Sequence, residues 1–142
     1  MLKVVIDTNV LLDGSTDDYN FGRRIIDEVI AGDVEAFANK ATLAENKLLA
    51  KEKISDQGYL KRLDYYFGCL RLQEFGLRLN VVPEDAEDNK LVEAAVAAGA
   101  DYLITADQHL LKLENYQGTK IVRPGQFWAE YEEGSEKGWG NG

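Results

Sequence analysis

Apolar positions along the chain alternate between short continuous runs and spaced stripes. Leu2 to Ile6 (LKVVI) is almost unbroken and rich in β-branched residues, which predicts a parallel strand buried on both faces. Phe21, Ile25, Ile26, Val29 and Ile30 recur at helical spacing, and Gly32 supplies a stop. Val34 to Ala38 reads as a second strand, and Ala41 to Lys53 as a Lys/Glu-rich helix carrying Leu43, Leu48 and Leu49. Gly58 interrupts this pattern before Tyr59 to Phe75 resumes it with Leu60, Leu63, Phe67, Leu70 and Leu72, so residues 41–77 predict a helical hairpin. Leu79 to Val82, ended by Pro83, reads as a third strand. Asp85 to Asp88 then make an acidic start to the alanine-rich helix Asn89 to Ala98, stopped by Gly99. Tyr102 to Thr105 is a fourth strand, Gln108 to Leu113 a short helix, Thr119 to Val122 a fifth strand and Gly125 to Tyr131 a closing helix. The βα alternation specifies an α/β fold, a central parallel sheet of about five strands with helices on both faces. Residues 1–131 are expected to form one domain and 132–142 a flexible Gly-rich tail with Trp139 unburied.

Composition narrows the possibilities further. A chain of 142 residues with 45% apolar content suits a single core. It contains no apolar run near the roughly 18–20 residues needed to cross a bilayer, and MLKVVIDTN lacks the pattern of a secretory leader, so a soluble, cytoplasmic protein is expected. One cysteine, Cys69, and one histidine, His109, exclude an internal disulfide and a four-ligand Cys/His zinc site. A net charge of −9 argues against holding nucleic acid by bulk electrostatics. The charge is uneven, however. Residues 1–39 carry 3 basic and 8 acidic side chains, residues 40–78 carry 8 and 5, and residues 79–142 carry 5 and 12. The basic central segment reads either as a solvated helical surface or as a region that steers phosphates, with Lys40, Lys47, Lys51, Lys61 and Arg62 as the candidates.

Ligands of open α/β sheets bind beyond the carboxyl ends of the strands, where the strand order reverses. Asp7 follows the first strand directly, Asp107 lies just past the fourth, and Asp88 opens the helix between the third and fourth. Glu45, on the helix after the second strand, can approach the same edge from one side. Clustered carboxylates repel one another, and a hard divalent cation resolves that conflict. Mg²⁺ and Mn²⁺ prefer carboxylate and water oxygens, and two such ions about 4 Å apart can activate water and stabilise the leaving oxygen of a phosphodiester. Each residue also has a plainer reading: Asp7 as a turn cap, Asp88 as a helix-start charge and Glu45 as a solvated face residue.

Ile6-Asp7-Thr8-Asn9-Val10 after an N-terminal strand resembles the opening signature of PIN domains. Glu84 to Leu111 (EDAEDNKLVEAAVAAGADYLITADQHLL) resembles the family's second block, an aspartate starting an alanine-rich helix, then Ala-Asp, an apolar strand and Thr-x-Asp-x-x-Leu-Leu. The resemblance covers about residues 1–128 and implies a PIN-like three-layer α/β/α fold with an inserted helical hairpin. Within the family the chain looks similar to VapC-type toxin ribonucleases. It implies a metal-dependent ribonuclease with Asp7, Glu45, Asp88 and Asp107 as the metal-binding and catalytic acids and Mg²⁺ or Mn²⁺ as cofactor. Asp85 is a rival for the position given to Asp88. Thr8 and Asn9 are expected to orient carboxylates or metal-bound water by hydrogen bonds, and Thr105 is placed with them, although a β-branched residue ending a strand needs no such role. Asp101 reads as serving the turn into the fourth strand and His109 as a short-helix residue beside the cleft.

The resulting expectation is in-line hydrolysis of single-stranded or looped RNA, leaving 5′-phosphate and 3′-hydroxyl ends. The implied partners are the RNA, an antitoxin protein that blocks the cleft by laying a segment across the helical hairpin and inserting a basic side chain among the carboxylates, and a second copy in a homodimer. Tyr59, Tyr65, Tyr66 and Phe67 read as hairpin core, with a docking or dimer face as the other reading. A haloacid-dehalogenase-like phosphatase is disfavoured because Asn9 stands where a second aspartate is needed. No GxxxxGK[ST] phosphate loop occurs, and the acidic pair and late lysine of a phosphoreceiver are not evident. The competing reading from another class is a PIN-like module that binds protein or RNA without cutting it.

Overall fold

The computed structural model describes residues 1–13, 20–74 and 86–136, without the side chains of 86–88 and 135–136. Strand β1 (Leu2–Ile6) leads into helices α1 (Thr8–Asp13) and α2 (Phe21–Ala31), then strand β2 (Val34–Ala38). The helical hairpin α3 (Lys40–Lys53) and α4 (Gln57–Cys69) is followed by the two-residue strand β3 (Arg71–Leu72). Helix α5 (Ala86–Ala98), β4 (Tyr102–Ile104), α6 (Gln108–Leu111), β5 (Asn115–Tyr116), β6 (Thr119–Val122) and α7 (Pro124–Glu136) complete the order.

The strands form one six-stranded sheet in the order β3-β2-β1-β4-β6-β5. Every pairing is parallel except that of β5 with β6. Alternate side chains leave the sheet on opposite faces, which explains the unbroken apolar runs. Val4, Ile6, Ala36, Tyr102, Ile104 and Val122 enter a core shared with α2, α4 and α7, whereas Val5, Phe37, Leu103 and Ile121 enter a second core under α5 and α6. The result is the expected three-layer α/β/α arrangement. After β2 and β3 have been laid on one side of β1, the chain returns to its other side with β4, so the strand order reverses between β1 and β4.

Several elements differ from the sequence pattern. Helix α1 begins at Thr8, where a loop was expected, because the Asp7 carbonyl accepts the Val10 amide at 3.0 Å and Val10 and Leu11 are buried. Its close approach to α2 needs Gly22, since a Cβ there would sit 2.9 Å from the Val10 carbonyl oxygen. The second hairpin helix stops at Cys69 rather than reaching Phe75, and Arg71–Leu72 pair with β2 instead. The backbone gains there what the helix gives up: the Gln73 amide continues the ladder to the Ala38 carbonyl at 2.9 Å. The strand expected at Leu79 to Val82 lies outside the described residues. Strand β5 was not anticipated; it forms because Gln117 (φ 49°) and Gly118 (φ 89°) make a two-residue turn that folds it onto β6. On α3, Leu48 is 59% exposed, and the buried stripe is Thr42, Asn46 and Ala50. The aromatic stretch is mostly core: Tyr59, Tyr66 and Phe67 are buried, and Tyr65 is exposed. Tyr59 donates its hydroxyl to the Leu11 carbonyl at 2.6 Å, locking α4 to α1.

Residues 132–136, expected in the tail, continue α7, helped by a bond from the Trp128 indole N–H to Glu132 at 2.8 Å one turn on. Trp139 lies outside the described residues. Glu130 ties α7 to the sheet, accepting from Tyr102 at 3.0 Å and Lys120 at 2.8 Å through Oε1 and from Gln126 at 3.1 Å through Oε2. Partial burial pushes its carboxyl upward, but the bonds from Lys120, Tyr102 and Gln126 outweigh burial and hold it below the ordinary glutamate range. A lowered folded-state value means stability that is present above the unfolded value and lost as pH falls through the folded one. The melting-temperature gap between wild type and Glu130→Gln is therefore expected at pH 7 and should close as pH falls below about 4. A gap that persisted unchanged at pH 3 would assign it to packing rather than charge.

Candidate active site

The reversal between β1 and β4 puts their carboxyl ends side by side, and Asp7 and Thr105 follow directly from them, with Asp107 just beyond. Asp7 is 7% exposed at the end of β1, and its amide continues the ladder to the Ile104 carbonyl at 2.9 Å. Thr105, fully buried at the end of β4, donates its hydroxyl to Asp7 Oδ2 at 2.8 Å. The same Thr105 oxygen accepts the Asp107 amide at 3.0 Å, so one hydroxyl ties both carboxylate-bearing segments together. Asn9 contributes its backbone amide to Asp7 Oδ1 at 3.3 Å. Asp107, half-buried, caps α6 by accepting the amides of His109 at 2.7 Å and Leu110 at 3.4 Å on Oδ1, and Oδ2 takes neither bond.

Helix α3 reaches this edge through a residue that sequence reasoning missed. Thr8 donates its hydroxyl to the side-chain oxygen of Asn46, which is 4% exposed. A polar side chain between Thr42 and Ala50 in a stripe of four-residue spacing was the available signal, obscured because the leucines suggested a different buried face. Glu45 immediately precedes Asn46 on α3, is exposed and has an interaction of its own. Asp88 lies in the first turn of α5, beside the buried Asn89, and its side chain is outside the described residues, as is the whole of Asp85. Asp101 stands at the opposite edge, accepting the Lys3 amide at 2.9 Å. His109 is exposed beside Asp107. Of the basic candidates, Arg62 is paired with Asp27 on α2 at 2.6 Å, whereas Lys40, Lys47, Lys51 and Lys61 are exposed.

Among the described residues no group of three or more His, Cys, Asp or Glu side chains is gathered tightly enough to hold a metal. The donor chemistry nevertheless fits a hard cation. Asp7 is a buried carboxylate oriented by Thr105 and Asn9, and Asp107 forms no ion pair among the described residues. Such oxygen donors suit Mg²⁺ or Mn²⁺ and not a thiophilic ion. The family model described as a PIN domain matches residues 3–109, a stretch that includes Asp7, Glu45, Asp88 and Asp107. The chain belongs to the PIN-domain family. PIN domains are generally nucleases, and those nucleases generally use divalent metals. No curated protein and no solved structure matches the chain. No helix among the described residues is long and apolar enough to cross a membrane.

Proposed function

We propose that this PIN domain is a divalent-metal-dependent endoribonuclease that cuts single-stranded or looped RNA, acting in the cytoplasm as the toxin of a toxin–antitoxin pair. The observation that carries the nuclease reading is the Asp7–Thr105–Asp107 linkage at the switch point of the sheet. Asp7, Asp88 and Asp107, with Glu45 on α3, are the residues that would hold Mg²⁺ or Mn²⁺. The bound ion would supply charge neutralisation at the phosphate and lower the pKa of water. The protein's own residues do the positioning. Thr105 commits its proton to Asp7 and a lone pair to the Asp107 amide, which makes it a brace and not a nucleophile. Asn46 fixes Thr8, and with it the first turn of α1 beside Asp7. Among the described residues this edge presents no projecting helix or ribbon to enter a groove, which favours unpaired RNA over a duplex. The toxin role, an antitoxin covering this edge and a homodimer rest on the likeness of the sequence blocks to VapC-type proteins.

The test is incubation of the protein with a mixed single-stranded RNA pool in Mg²⁺, in Mn²⁺ and in EDTA. Cleavage in metal, none in EDTA, and products with 5′-phosphate and 3′-hydroxyl ends are expected. A folded protein that cuts nothing in either metal would overturn the enzyme reading in favour of a binding module.

A further inference from the structure

A cleft of about 280 Å³ lies next to the chain segments that bear the two carboxylates. Its lining includes Ala106, the residue between Thr105 and Asp107, and Val10, whose amide is bonded to the Asp7 carbonyl. The cleft thus adjoins the segments that carry Asp7 and Asp107. On its other sides stand Phe21, the first residue of α2, and Arg123, which leads into α7.

Arg123 is exposed and has neither an ion pair nor a ring contact among the described residues. The other described arginines are engaged. Arg62 and Arg71 pair with Asp27 and Glu35, Arg23 lies over Tyr59, and Arg24 lies between Phe21 and Trp128, 5.4 and 5.8 Å from the ring centres. Asp13, the acidic side chain on the cleft wall, has an interaction of its own. In a chain of net charge −9, an uncommitted guanidinium next to an acidic edge is placed to receive an anion. Phe21 is 42% exposed although it is a large apolar side chain, and Arg24 fixes its ring from one side. A guanidinium for a phosphate and an aromatic ring for a base are the elements of a single-stranded nucleic-acid site. The volume lies near the lower end of small-ligand pockets, which suits one nucleotide.

We propose that this cleft seats the RNA nucleotide adjoining the scissile phosphate, with Arg123 holding its phosphate and Phe21 stacking on its base. The assignment rests on the nuclease reading above and adds the residues that position the substrate.

The experiment titrates a fluorescein-labelled single-stranded RNA 12-mer in EDTA at several salt concentrations, and measures cleavage of the same RNA in Mn²⁺. Wild type is compared with Arg123→Ala, Phe21→Ala, Phe21→Leu and Lys3→Ala, the last removing one positive charge at the opposite edge. Arg123→Ala should weaken binding more than Lys3→Ala and flatten the slope of log K against log salt by about 0.7. Both Phe21 variants should weaken binding by roughly 5-fold or more without changing that slope, Phe21→Leu retaining apolar packing. In cleavage, KM should rise with kcat nearly held. Variants indistinguishable from Lys3→Ala in both assays, while wild type still cuts RNA, would overturn the cleft assignment and leave the nuclease reading intact. A wild type that neither binds nor cuts RNA would overturn both.

Discussion

Asp7→Asn is expected to leave the protein folded and to reduce RNA cleavage by on the order of 10²–10³-fold, the scale of losing a metal's contribution to transition-state charge. The geometry explains why the fold survives. An asparagine can keep its oxygen toward the Asn9 amide and turn its NH₂ toward Thr105, whose oxygen already accepts from the Asp107 amide and has a second lone pair. Removing a buried charge removes its desolvation cost but leaves the Thr105 hydroxyl proton without its acceptor, so the two effects oppose and metal-free Asp7→Asn should melt within a few degrees of wild type. Added Mg²⁺ should raise the wild-type melting temperature by ligand linkage and raise the variant's less. Thermal melts with and without Mg²⁺, run beside the cleavage assay, check each part. A folded Asp7→Asn protein that cut RNA at the wild-type rate would remove Asp7 from the mechanism.

Thr105→Val should damage both stability and activity, although the two side chains are nearly the same shape. The hydroxyl that is lost donates to Asp7 and accepts from Asp107 at a fully buried position. Leaving those partners unsatisfied costs about 1–3 kcal/mol. With the Thr105 bond gone Asp7 is held less firmly, and cleavage should fall by roughly 10- to 100-fold, with more metal needed for half-maximal rate. Thr105→Ser, which keeps the oxygen, should restore most of both. If valine lowered the melting temperature but left the metal requirement unchanged, Thr105 would be a fold residue alone.

The strands that were legible in the sequence are those whose pattern is set by burial on both faces. β1, β2, β4 and β6 each carry side chains into two cores, so each reads as an apolar run with its partner unknown. The two-residue strands β3 and β5 have no such pattern. Arg71 and Leu72 are exposed, and they are strand only because the edge of β2 offers unpaired backbone groups. Helix α1 escaped notice for a similar reason, being six residues long and held by its packing under α2 and by Tyr59.

The sequence alone places Asp7 and Asp107 at one edge, because a parallel βα succession sends strand ends to the same side. Their mutual arrangement does not follow from it. It depends on β1 and β4 becoming neighbours although 98 residues separate Asp7 from Thr105, and nothing in Thr105 itself distinguishes a hydroxyl that braces two segments from one that ends a strand. Asn46 is a further case, since its importance lies in meeting Thr8 across 38 residues. By itself the sequence determined which residues are apolar, how often they recur and which carboxylates leave strand ends, since each of those depends on near neighbours. Only the tertiary structure decided which hydroxyls and amides orient them, because a hydrogen bond requires positions within about 3 Å that distant segments share only after the cores have closed.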